Sequence, residues 1–226
     1  MADYVLVHGG TISTDTWNRL AGREVYPPGG FLGARCWDGT AAALRERGHR
    51  VFAPTLADER RSDLTGHVGQ VEALITGDDL GDIVLVGHSY GGMVVTGVAA
   101  RLAQKVRRLV YVDAAFPLPG QSLFDLLNLG LAAAGTARPE LPDPAPPYLE
   151  KLRYDPARLR STAKTYILCT KSDFLPVTRL ARSNLAAAGG EWTGIEVPSS
   201  HVPMADMPER CNRLLLSAAA AGRRHP

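Results

Sequence analysis

Apolar residues along this chain follow two rhythms. Short runs at Tyr4–Val7, Val51–Ala53, Ile83–Val86, Leu109–Val112, Thr165–Leu168 and Ile195–Val197 have the length and β-branched content of strands. Those at Ile83 and Leu109 are continuous enough to be buried on both faces. Between the runs, apolar positions recur at three- and four-residue spacing. Trp37, Ala41 and Leu44 form one helix face, and Leu64, Val68, Val71, Leu74 and Ile75 a second. Met93, Val94, Val98 and Leu102 make a third, and two more helices run from about Pro176 to Ala188 and from Pro208 to about Ala221. Asp63 is placed to cap the second helix, Gly48 stops the first and Gly189-Gly190 ends the fourth. Strands alternating with helices predict an α/β chain with a mostly parallel, doubly wound sheet.

Two stretches break the alternation. A loop-like region centred on Pro27-Pro28-Gly29-Gly30 follows the first strand. Residues 114–160 hold an apolar helical stretch, Leu123–Ala134, and then a proline-rich segment, Pro139–Pro147. This second excursion out of the sheet is too small for an independent domain, so residues 1–226 read as a single domain. Asp58–Ser62 is polar and reads as an exposed loop.

The chemistry gathers at Gly87-His88-Ser89-Tyr90-Gly91, a Gly-X-Ser-X-Gly motif between a strand and a helix. Such a turn lifts the Ser89 hydroxyl clear of the sheet, above the free N–H groups of the following helix. A serine nucleophile needs a base and an orienting acid. Of six histidines, His201 follows the last strand in Pro198-Ser199-Ser200-His201-Val202-Pro203, on the carboxyl edge that also carries Ser89. His8 and His88 read as supports for their loops, and His49 and His67 as surface or capping residues. Asp173, after the Thr165–Leu168 strand, is the favoured acid; Asp113, closing the Leu109–Val112 strand, competes with it, and Asp206 lies too near His201 in sequence. The backbone N–H groups of Tyr90 and Gly10 are the expected oxyanion-hole donors.

Composition narrows the partners. A net charge of +2 over 226 residues gives no reason to expect nucleic acid or an acidic membrane surface, which leaves a small-molecule substrate. No apolar run reaches the roughly 18 residues of a membrane span, and Met1-Ala2-Asp3 leads into a strand with no signal-like region. Three unpaired cysteines, Cys36, Cys169 and Cys211, fit a reducing cytoplasm and offer no metal site. The basic end Arg223-Arg224-His225 reads as a solvated tail.

With His8-Gly9, Gly48-His49-Arg50-Val51, Gly87 to Gly91 and Asp173 to Pro176 in view, the chain resembles the α/β-hydrolase superfamily over nearly its whole length. It is similar to the small-lid branch of plant methylesterases, hydroxynitrile lyases and bacterial esterases. The resemblance implies an α/β-hydrolase fold in which residues 114–160 are a small helical lid and residues 12–36, ahead of the helix-opening Trp37, an insertion; it also implies a triad in the order Ser89, Asp173, His201, a covalent acyl-enzyme and no cofactor. Val202 stands where the lyases of this branch carry a lysine after the catalytic histidine, which argues against cyanohydrin cleavage. The expected activity is hydrolysis of an ester or thioester of a small molecule. Phe116, Leu118, Leu123, Phe124, Leu126 and Leu127 of the lid favour an apolar acyl or alcohol part. A cyclase, lyase or acyl-transfer enzyme on the same triad, or a ligand receptor with this fold, are the alternatives.

Overall fold

In the computed structural model the chain is described over residues 1–135 and 145–220. Most of the proline-rich stretch from Pro139 and the basic tail therefore lie outside the described residues. The elements run β1 (Asp3–Val7), α1 (Thr14–Ala21), α2 (Asp38–Glu46), β2 (Arg50–Phe52), α3 (Leu64–Gly77), β3 (Ile83–His88), α4 (Gly91–Arg101) and β4 (Val106–Val112). They continue with α5 (Leu123–Ala134), α6 (Pro146–Leu149), β5 (Ala163–Cys169), α7 (Leu175–Ala188), β6 (Trp192–Val197), α8 (Pro203–Asp206) and α9 (Pro208–Ala220).

The strands form one all-parallel sheet in the order β2-β1-β3-β4-β5-β6. Because strand side chains alternate between faces, β1 and β3 feed two cores. Val5, Val7, Ile83 and Leu85 pack with α3, α4 and α5, whereas Tyr4, Leu6, Val84 and Val86 pack with Trp37, α2 and α9. Apolar side chains on both faces are the reason these strands read as unbroken runs. The chain steps outward from β1 to β2, then back across to β3. The crevice at the carboxyl ends of β1 and β3 is therefore the switch point where open parallel sheets bind ligands.

The sequence pattern misses the four-residue helices α6 and α8 and one longer helix. Residues 14–21 form α1, capped by the Ser13 hydroxyl accepting from Thr16 N–H and ended by Gly22 in the left-handed region (φ +67°). It buries little beyond Trp17, which meets Tyr26 edge-on and joins the core around Trp37 together with Leu32 and Cys36. That core extends to Val202, Met204 and Ala205, so the segment 12–36 packs behind the chain that follows His201. The Asp63 cap is present, with its carboxylate accepting from Gly66 N–H at 2.7 Å. No helix among the described residues is long and apolar enough to cross a membrane.

Candidate active site

β3 ends at His88, and within two residues the chain becomes α4. Ser89 adopts φ +54°, a left-handed conformation that costs a residue with a side chain on the order of 1–3 kcal/mol. The flanking glycines are required sterically. A Cβ at Gly87 would lie 2.7 Å from Gly91 O, and one at Gly91 would lie 2.6 Å from Val7 O. A Cβ at Gly9 would sit 2.5 Å from Ser89 Cβ and 3.1 Å from its Oγ, so the turn after β1 lies directly against the serine. Neither Gly10 N–H nor Tyr90 N–H is engaged in a hydrogen bond among the described residues, which leaves both free for a ligand oxygen.

His201 stands on the loop between β6 and α8, and its Nδ1 lies 2.7 Å from Asp113 Oδ2. Asp113 is fully buried. Its other oxygen accepts from Cys169 N–H at 2.9 Å, and its own N–H donates to Ile167 O at 2.8 Å. A buried carboxylate is tolerable only with donors of this kind. Facing a carboxylate, Nδ1 carries the imidazole proton and leaves Nε2 as the acceptor. The loop itself is held by Asp206, which accepts from the Ser199 hydroxyl at 2.6 Å and from Ser200 N–H at 2.7 Å.

His88 ties the loop to the serine strand. Its Nε2–H donates to His201 O at 2.8 Å, and the two rings lie 4.7 Å apart. Burial above all, and then the neighbouring His201, push its pKa down to about 3. It is therefore a neutral donor at physiological pH. Ser89 and His201 share one edge through this link, with no direct hydrogen bond between them among the described residues.

The acid is where expectation and structure part. Asp173 is exposed at the turn after β5, and the preceding residue, Ser172, instead reaches His201, its Oγ 3.4 Å from Nδ1. Asp113 holds the imidazole because β4 lies next to β3, whereas β5 lies one strand further out. Asp113 takes φ +44° at the strand end, and the Ala115 N–H donates to Ser89 O at 3.0 Å, fastening this turn to the serine. The chain order serine, aspartate, histidine is satisfied by either carboxylate and could not separate them.

A family model described as "Alpha/beta hydrolase family" matches residues 4–214. The chain belongs to the alpha/beta hydrolase family. Among curated relatives, a carbendazim hydrolyzing esterase of Nocardioides sp. (strain SG-4G) is 43% identical over 139 residues, 58% of this chain and 49% of that protein. The putative methylesterase 11, chloroplastic, of Arabidopsis thaliana is 24% identical over 243 residues, covering 84% of this chain and 62% of that protein. The matched stretch thus spans about half to three-fifths of these relatives' length. Among solved structures, an extracellular alpha/beta-hydrolase from a Paenibacillus species superposes with a TM-score of 0.72 at 24% identity, covering 99% of this chain and 100% of that one. A pyrethroid hydrolase from Sphingobium faniae JZ-2 gives 0.68 at 20% identity, covering 97% and 98%.

Next to the Gly9 turn that abuts Ser89 lies a cavity of about 250 Å³, walled by the His8-Gly9 turn, residues 55–60, His67, Tyr90 and Tyr148 and lined by neither Ser89 nor His201 themselves. His67 is buried rather than a surface residue; its Nδ1 lies 2.9 Å from Tyr90 Oη and its Nε2 3.0 Å from Ala57 O. Tyr148, from α6, hydrogen-bonds Glu59 and brings its hydroxyl to 3.1 Å from where a Gly10 Cβ would be. Glu59, on the segment that reads as an exposed loop, is thus half-buried and turned into the site. The only sequence signal for this wall was Asp58–Ser62 following β2 on the same edge. The apolar lid residues point elsewhere: Phe116, Leu123, Leu126 and Leu127 are buried in the core, with Phe124 packed against it. They dock the lid and do not wall this cavity. A larger depression of about 680 Å³, between α3, α4 and residues 150–158, touches neither Ser89 nor His201.

Proposed function

We propose that this hydrolase is an esterase that cleaves an ester or thioester of a small molecule through an acyl-enzyme on Ser89. The observation that carries the reading is the buried Asp113–His201 pair set beside a strained serine at the switch point of the sheet. Esterases and hydrolases among the named relatives support it.

Asp113 fixes the proton on His201 Nδ1 and stabilises the imidazolium that forms later. Docking of substrate draws Ser89 Oγ and His201 Nε2 into hydrogen-bond reach. Ser89 Oγ then attacks the carbonyl carbon while its proton passes to Nε2. The oxygen of the tetrahedral intermediate is received by the amides of Tyr90 and Gly10, each such donor contributing about 3 kcal/mol to the transition state. Return of the proton to the departing alcohol or thiol leaves the acyl-serine. Water, deprotonated by the same Nε2, releases the acid and restores the serine. The scheme uses no cofactor and no metal. Three buried, unpaired cysteines suit a reducing cytoplasm.

Ser89→Ala tests the mechanism. Its kcat toward p-nitrophenyl esters falls by about 10⁴- to 10⁶-fold, and labelling by a serine-directed phosphonate disappears while the circular dichroism spectrum stays unchanged. Near wild-type turnover in this variant would remove Ser89 from the mechanism. Labelling of the wild-type protein without ester turnover would point to a cyclase or a receptor.

A further inference from the structure

The cavity next to the Gly9 turn has an uneven hydrogen-bonding character. The backbone carbonyl of Gly9 lies 2.7 Å from His8 Nδ1, and Leu56 N–H donates to His8 Nε2 at 3.0 Å, so the only proton of His8 is taken by Gly9 O. His67 Nε2 faces the Ala57 carbonyl, which can only accept; the proton of this imidazole is therefore on Nε2, and Nδ1 receives the Tyr90 O–H. Burial lowers the pKa of both histidines and keeps them in these neutral forms. Tyr148 O–H is engaged by Glu59. Every buried side-chain proton on this wall already has a receiver.

What remains toward the cavity is a set of acceptors. Tyr90 and Tyr148 each keep oxygen lone pairs, and Glu59 keeps its second oxygen, which has no partner among the described residues. The hydroxyls of Thr11 and Thr55 and the guanidinium of Arg60 belong to exposed residues at the rim. Glu59 is half-buried, so an apolar occupant would strip water from its second oxygen and offer it no donor in return.

Resting on the esterase reading, we propose that this cavity selects a substrate group bearing N–H or O–H donors, and that Glu59 is the specificity-determining residue that receives them. Glu59 is half-buried, whereas Asp58, the other carboxylate lining the cavity, is exposed and already accepts from Arg60 N–H; charge-assisted hydrogen bonds are about twice as strong as neutral ones. Tyr148 aims the Glu59 carboxylate. At about 250 Å³ the space holds a substituted aromatic ring or a group of similar size.

The test separates binding from turnover. In Ser89→Ala protein, which leaves esters intact, dissociation constants are measured for 3-aminophenyl and 3-hydroxyphenyl acetate against 3-methylphenyl acetate. The acyl side is probed by methyl 3-aminobenzoate against methyl 3-methylbenzoate. In at least one series the donor-bearing ester binds tenfold or more tighter than its methyl partner, equal to 1.4 kcal/mol. Adding Glu59→Gln brings that preference below threefold. Adding Tyr148→Phe instead retains it, because the carboxylate stays and loses only a competing donor. Methyl esters binding as tightly as the donor-bearing esters in both series, or a preference that survives Glu59→Gln, would overturn the proposal. Wild-type turnover of the same esters reports on hydrolysis separately: turnover without preference sinks the donor assignment alone, and preference without turnover sinks the hydrolase reading alone.

Discussion

The two sides of this site are built on different principles. On one side Ser89, Asp113 and the Gly9–Gly10 turn sit at the carboxyl ends of adjacent strands, where parallel register fixes them relative to one another. On the other side Glu59, His67, Tyr90 and Tyr148 meet through side-chain bonds between a loop, two helices and the lid. The strand-end side is specified by backbone and steric necessity: glycines that admit no Cβ, and two non-glycine residues held at positive φ. The loop-built side is specified by hydrogen bonds between residues as far apart as 89 positions. On the proposed reading, the general chemistry belongs to the first side and the choice of substrate to the second.

The sharpest way to break this division is at the acid. If strand adjacency decides the partner of His201, Asp113→Asn lowers kcat by about 10⁴-fold, because an amide no longer holds the imidazole in its working tautomer. Asp173→Asn, at an exposed turn, leaves kcat within a few-fold. Parallel kinetics on the two variants decide the matter, and a larger loss in Asp173→Asn would return the role to the outer strand.

That pair of variants also marks where the sequence stops being informative. Six strands, the elbow glycines and the loop of His201 are readable because each is a local pattern: an apolar run, a motif, a polar segment before a helix. Asp113 and Asp173 both end strands, and which one meets His201 depends on strand order in the sheet, which no local pattern states. Helix α1 escapes notice because eight residues with little more than one buried side chain, Trp17, carry almost no periodicity. Glu59 escapes for the opposite reason. A charged residue in a charged stretch reads as solvated until the lid brings Tyr148 across to it.

Stability against acid sharpens the contrast between the two sides. His88 is packed under the strand ends with its pKa near 3, against about 6.5 for an exposed imidazole. The folded protein therefore resists a proton that the unfolded chain accepts. Stability from this group is complete above about pH 6.5 and is lost as the pH falls toward 3, on the order of 5 kcal/mol in all. His8 and His67 shift in the same direction, so they leave a smaller slope of the same sign. Urea midpoints measured between pH 7 and pH 4 fall steeply in the wild-type protein and clearly less in His88→Gln. An equal slope in the two would show that the acid lability comes from elsewhere.

Tyr90 is the one residue that serves both sides, and its two parts can be separated. Its amide stands at the start of α4, unengaged among the described residues and the proposed oxyanion donor, while its hydroxyl donates to buried His67. Phenylalanine keeps the amide and removes the hydroxyl. Tyr90→Phe then leaves His67 Nδ1 without its donor, at a cost of about 1–2 kcal/mol in unfolding free energy, read from denaturant titration. In steady-state kinetics KM for donor-bearing esters rises more than kcat falls, since the developing negative charge still meets the backbone N–H. A fall in kcat as deep as that of Ser89→Ala would mean that the hydroxyl takes part in the chemistry, and the line drawn here between machinery and recognition would run through the wrong atoms.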